Sequence, residues 1–97
     1  MSSPRPMLLL SIVSEALLED TLIDEIMALG AKGYTVTDAR GRGTHGVQRG
    51  KWTVGTNVRI EVIGDEALCQ RIIARLTEAY DRDYGLLMFT MPVLLQN

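Results

Sequence analysis

The chain alternates between short apolar runs and amphipathic stretches, and the two have different periods. Met7 to Val13 is a continuous apolar run, the pattern of a strand with both faces covered. Ser14 then offers an N-cap, and Glu15, Glu19 and Asp20 suit the positive end of a helix. Leu18, Leu22, Ile26 and Leu29 recur at helical spacing, and Gly30 and Gly33 close the segment. Tyr34 to Arg40 is rich in β-formers. Val58, Ile60 and Val62 alternate with Asn57, Arg59 and Glu61, which predicts a half-buried strand. Gly64-Asp65-Glu66 reads as a turn, an N-cap and an acid in the first turn of a second helix running to about Tyr80. Ile72, Leu76 and Ala79 share one face of it, with Cys69 nearby as a small buried hydrophobe. Arg71 and Arg75 fall on another face, expected to be solvated. Asp81-Arg82-Asp83 reads as a polar connection, and Gly85 to Leu95 as a last strand held to a sheet edge by Pro92.

The order strand, helix, strand, strand, helix, strand is the split β-α-β arrangement of an α+β, ferredoxin-like sandwich. This predicts a four-stranded antiparallel sheet of order 4-1-3-2 with helices on one face. The other face must meet solvent or another subunit. Leu86 to Met91 is too apolar for an exposed edge strand, so an oligomer is expected. At 97 residues the chain is one domain, 1–97, and its 46% hydrophobic content suits an ordinary globular fold. One cysteine excludes an intrachain disulfide framework. No apolar run approaches a membrane span, and Met1 to Pro6 leads into too little apolar sequence for a signal peptide. The expected location is cytoplasmic, with no direct membrane insertion.

Charge changes the picture. The net charge of −2 gives no global drive toward nucleic acid. Yet Ala39 to Ile60 contains no acid and holds Arg40, Arg42, Arg49, Lys51 and Arg59. The same window has Gly41, Gly43, Gly46, Gly50 and Gly55, with the single histidine, His45, and the single tryptophan, Trp52. Glycines let backbone N–H groups close around an anion, and arginine adds planar paired donors. The segment suits an anion or nucleotide, a partner-docking loop, or a solvated hairpin. It is not a P-loop, because Gly-Lys-Ser/Thr is missing and no helix follows. An RNA-recognition module would carry alternating aromatics where Asn57, Arg59 and Glu61 stand. An acylphosphatase-like phosphate loop would follow the first strand, where Ser14-Glu15 is acidic. A serine or cysteine triad has no support, and a lone histidine makes a metal site unexpected.

Gly30-Ala31-Lys32-Gly33-Tyr34-Thr35-Val36, followed by Arg40-Gly41-Arg42-Gly43, resembles the PII signal-transduction superfamily. The likeness continues through Asn57-Val58-Arg59-Ile60-Glu61 and Asp83-Tyr84-Gly85 to Val93-Leu94. Within the superfamily it is most similar to the PII-like proteins of carbon-concentrating bacteria, the regulators paired with a bicarbonate transporter and their carboxysome-associated relatives. The resemblance implies a homotrimer with adenine nucleotide in the clefts between subunits. It implies a T-loop at about 43–54 that changes shape with the ligand and docks on a target. Gly33, Tyr34 and Thr35 would lie beside the adenosine, and Gly41, Arg42, Gly43 and Thr44 at the phosphates. Gly85 and Leu86 would come from the neighbouring subunit. Bicarbonate would sit beside the phosphates, near Thr44, His45, Gly46, Gln48 and Arg49.

The expected protein is thus a non-catalytic sensor of ADP or AMP, with ATP and cyclic AMP as further candidates, and of bicarbonate. No cofactor is expected. Its target would be a membrane transporter, which could recruit it to the inner membrane, or a carboxysome-related protein. The alternatives are a slow nucleotide hydrolase on the same site and a purely structural trimer module. The loop has no tyrosine to modify, and Asp81 to Tyr84 lacks the Thr-Gly-Asp-Gly-Lys grip on ATP, so diphosphate and monophosphate are favoured.

Overall fold

The computed structural model describes residues 3–41 and 56–97. Strand β1 (Arg5–Glu15) leads through a single 3-10 turn (Ala16–Leu18) into α1 (Glu19–Ala28). Strands β2 (Thr35–Ala39) and β3 (Asn57–Gly64) follow, then α2 (Glu66–Leu76) and β4 (Leu87–Leu95). The sheet is antiparallel in the order β2-β3-β1-β4. That is the expected 4-1-3-2 order, and the fold is the ferredoxin-like α+β sandwich. Pro92 stands on the edge strand β4, opposite Leu8.

Pairing register sorts the side chains into two faces. Leu10 and Ile12 of β1 lie opposite Val62 and Ile60 of β3, and all four are at most 1% exposed. They meet Leu18, Leu22 and Ile26 from the first helical segment and Cys69, Ile72 and Leu76 from α2. Fully burying one Leu or Ile contributes about 1.5–3 kcal/mol, so this layer carries most of the fold's hydrophobic gain. On the opposite face Leu9 lies between Ile63 and Met91, Ser11 between Glu61 and Phe89, and Val13 between Arg59 and Leu87. No described helix covers that face, and Ile63, Phe89 and Met91 remain 41–47% exposed.

Helix boundaries have local causes. Gly30 has φ +112° and closes α1: its N–H donates to Met27 O and the Ala31 N–H to Ile26 O. This is the paired-bond stop that a glycine just past a helix permits. Asp65 caps α2, its Oδ1 accepting from the Leu68 N–H at 2.8 Å. Three expectations fail. Ser14 is not a cap: β1 runs on to Glu15, and the Ser14 hydroxyl donates to the Glu15 carbonyl. Glu15 is accordingly buried at a strand end rather than exposed on a first helical turn. Asp81-Arg82-Asp83 is helical, because α2 continues through a π-wound segment (Thr77–Asp81) and a last turn (Arg82–Tyr84) to Gly85. Gly85 ends it in the left-handed region, φ 65° and ψ 53°. Among the described residues no helix is long and apolar enough to cross a membrane.

A candidate nucleotide cleft at the β2 edge

The connection from α1 to β2 and the end of β3 enclose a cavity of about 340 Å³. Lys32, Gly33, Tyr34 and Thr35 form one wall, and Leu9, Glu61 and Ile63 on the open face of the sheet form the other. The register makes this inevitable: Thr35 lies opposite Glu61, which in turn lies opposite Ser11. A Cβ placed on Gly33 would meet nothing within 4 Å, so packing within the chain does not require glycine there. Its bare backbone leaves room for a ligand to approach closely. Tyr34 is 47% exposed and offers an aromatic face. The Glu61 carboxylate is an acceptor for hydroxyl or amino groups, and Lys32 supplies a cation. Glu61 has Arg59 at 3.9 Å, a loose and largely solvated pair that leaves the carboxylate available. An aromatic face, an acceptor, a hydroxyl and a cation around an apolar floor suit a nucleoside.

The other predicted site residues separate into three groups. Gly41 follows β2 by two residues, is exposed, and a Cβ there would also meet nothing within 4 Å. Arg42, Gly43, Thr44, His45, Gly46, Gln48 and Arg49 lie outside the described residues, as does the expected T-loop at 43–54. Gly85 and Leu86 lie just before β4, at the opposite edge of the sheet. Leu86 is 2% exposed and its side chain belongs to the core, so only its backbone is left for contact with a ligand. β2 and β4 are three strand spacings apart, about 14 Å. One chain therefore does not place both halves of the predicted site against one base.

The base of the loop is firmly tied. Ala39 pairs with Asn57 in the last β2–β3 rung, and the Ala16 N–H donates to Thr56 O at 2.7 Å. Glu15 lies opposite Asn57 there, and its Oε2 is buried with no hydrogen bond among the described residues. Lys32, Leu9, Glu61 and Ile63 were not legible as cleft residues. Leu9 falls in a continuous apolar run and Glu61 on the polar side of an alternating strand, and only the strand register brings them, with Ile63, beside Gly33. No group of three or more potential metal ligands occurs among the described residues. Cys69 is fully buried, and burial pushes its thiol pKa up, as does the nearby Asp65 charge, so it is an inert core residue.

Residues 7–94 match the family described as nitrogen regulatory protein P-II. The chain belongs to the P-II family. A solved structure of a PII-like signaling protein from Thermus thermophilus is 39% identical, covering 98% of this chain and 94% of that one, with a TM-score of 0.81. The PII-like protein CPII from Thiomonas intermedia, solved with ADP, AMP and bicarbonate, superposes with a TM-score of 0.82 at 18% identity, over 98% of both chains. A further structure of CPII, with ADP and bicarbonate, gives a TM-score of 0.81 at 20% identity, covering 98% of this chain and 93% of that one. At such identity these two show a common fold. No curated protein matches the sequence.

Proposed function

We propose that this P-II family protein is a non-catalytic sensor of adenine nucleotide, ADP or AMP foremost, and of bicarbonate. The nucleotide would lie between subunits of a homotrimer. The observation that carries this reading is the separation of the two half-sites. Gly33 to Thr35 border a cleft at the β2 edge, while Gly85 and Leu86 stand at the β4 edge. Only the meeting of two copies brings such edges to one ligand. The uncovered apolar sheet face gives the copies a reason to associate. Arg42, Gly43 and Thr44 would hold the phosphates. His45, Gly46, Gln48 and Arg49 would take bicarbonate together with Thr44. ADP and bicarbonate bound to CPII, a protein of the same fold, support the ligand pair. The readout would be the T-loop, docking on a bicarbonate transporter or carboxysome-related target from the cytoplasmic side.

Calorimetric titration of the trimer with ADP and adenosine tests this reading. Arg42→Ala should weaken ADP by about 1.5–3 kcal/mol, the range for a hydrogen bond to a charged group, and leave adenosine nearly unchanged. Equal losses for both would make Arg42 a support of the fold. Release of AMP or phosphate from bound ADP over hours would replace the sensor with a slow hydrolase.

A further inference from the structure

A second and larger cavity, about 560 Å³, lies where β1 begins and β3 and β4 end. Its apolar walls are Met7, Ile63, Leu68 and Leu95. Three cations from three separate elements border it: Arg5 at the start of β1, Lys32 between α1 and β2, and Arg71 on α2. No Asp or Glu side chain lies within ion-pair distance of any of them among the described residues. Arg71 Nη2 reaches the Leu29 carbonyl only at 3.5 Å, and Arg5 Nη2 donates to the Asn97 carbonyl at 3.2 Å. The one acid in the lining is Asp65, which caps α2 through Oδ1. The side chains of the lining therefore sum to two positive charges, with Arg5 also meeting Asn97 O, next to an apolar wall and beside the positive end of an eleven-residue helix.

We propose that this cavity is a binding site for a phosphomonoester with a compact apolar body. A phosphate dianion matches the charge excess, and Arg5 and Arg71 can each give it paired donors. The apolar body would rest on Leu68 and Leu95. The volume lies within the range of about 300–1,000 Å³ usual for small-molecule pockets. The site goes beyond the nucleotide cleft, but the two share Lys32 and Ile63 as a common wall.

Phenyl phosphate is a suitable probe, titrated at pH 7.5 into the ¹⁵N-labelled full chain. Saturable shifts are expected at the amides of Gly30, Gly64, Asp65 and Leu68. Benzoate, with the same body and a single charge, should bind at least tenfold more weakly, and phenol should not bind. Arg71→Gln, at an exposed position, should keep the amide spectrum of the folded protein and its ADP affinity while weakening phenyl phosphate at least tenfold. Shifts confined to Tyr34 and Thr35 would overturn the proposal, because the probe would then occupy the nucleotide cleft. So would benzoate binding as tightly as phenyl phosphate, unchanged phenyl phosphate affinity in Arg71→Gln, or a matching loss of ADP affinity in that variant. Failure of ADP to bind the wild-type chain would sink the nucleotide reading and leave this one standing.

Discussion

Arg75 of α2 grips Glu25 of α1 with both arms of its guanidinium. Nε donates to Oε1 at 3.1 Å and Nη2 to Oε2 at 3.0 Å. Tyr80 completes the cluster, its hydroxyl donating to Oε2 at 2.5 Å. Tyr80 belongs to the π-wound segment, where the helix departs from its regular winding. The helical layer is thus pinned on its outer side by one carboxylate that receives three donors.

This cluster gives stability a defined pH dependence. The hydrogen bonds from Arg75, and then from Tyr80, hold the Glu25 carboxyl below its ordinary value of 4.5. A depressed carboxyl pKa stabilises the fold above the unfolded value and loses that contribution as pH falls through the folded one. The hydrogen bond to Glu25 raises the Tyr80 phenol above 10, so its contribution is lost as pH climbs past that value. Tyr80→Phe should cost about 0.5–1.5 kcal/mol at neutral pH and flatten the alkaline limb. Urea melts across the acid and alkaline ranges measure both limbs. An unchanged alkaline limb in Tyr80→Phe would remove Tyr80 from the cluster's energetics.

Gly64 ends β3 against α2. A Cβ there would come within 2.7 Å of Leu68 Cδ2, too close for the present rotamer. Leu68 is 8% exposed and has to change rotamer or shift to admit the methyl. Gly64→Ala should therefore destabilise by about 1–3 kcal/mol, the usual cost of overpacking. Thermal melts at one protein concentration test this, and an unchanged midpoint would show that the Leu68 wall yields freely.

Met91 and Phe89 stand on the edge strand β4 and share the open sheet face with Leu9 and Ser11, their partners in β1. In the single chain Met91 is 47% exposed, so Met91→Glu should leave the folded subunit intact. A charge there opposes burial against another copy. Sedimentation equilibrium should show a trimer for the wild type and a folded monomer for the variant. A wild-type chain that stays monomeric at micromolar concentration would remove the intersubunit nucleotide site altogether.

Sequence and structure agree where one physical pattern dominates. The alternation of Val58, Ile60 and Val62 identified β3, and Leu18, Leu22 and Ile26 identified the buried helix face. Asp65 was visible as a cap because its spacing to Leu68 is local. Arg75 is solvated as expected, but its pairing with Glu25, 50 residues away, leaves no mark in a helical pattern. Ser14 misled because a residue suited to capping also fits a strand end. Asn57 counted as a polar strand position yet is 3% exposed, paired on both sides with Glu15 and Ala39. Of the residues around the candidate cleft, Gly33 to Thr35 are those the family resemblance names, whereas Leu9, Glu61 and Ile63 join them only through the strand register.

The most demanding prediction concerns the two anions together. ADP phosphates and bicarbonate repel, so placing them side by side needs shared cationic and N–H donors. Arg42, Arg49, Lys51 and the glycines between β2 and β3 supply these in the sequence. Ordering backbone around a ligand costs about 1–2 kcal/mol per residue, more than one small anion readily offsets. A second ligand then binds donors that are already arranged, which makes the pair positively cooperative. Bicarbonate should tighten ADP binding, and by linkage ADP should tighten bicarbonate by the same factor. Calorimetry of ADP with and without bicarbonate, at matched pH and ionic strength, measures the coupling. Limited proteolysis provides a second readout, with cleavage after Arg49 and Lys51 suppressed only when both ligands are present. If bicarbonate leaves ADP affinity unchanged, the bicarbonate half of the proposed function fails and a nucleotide sensor alone remains.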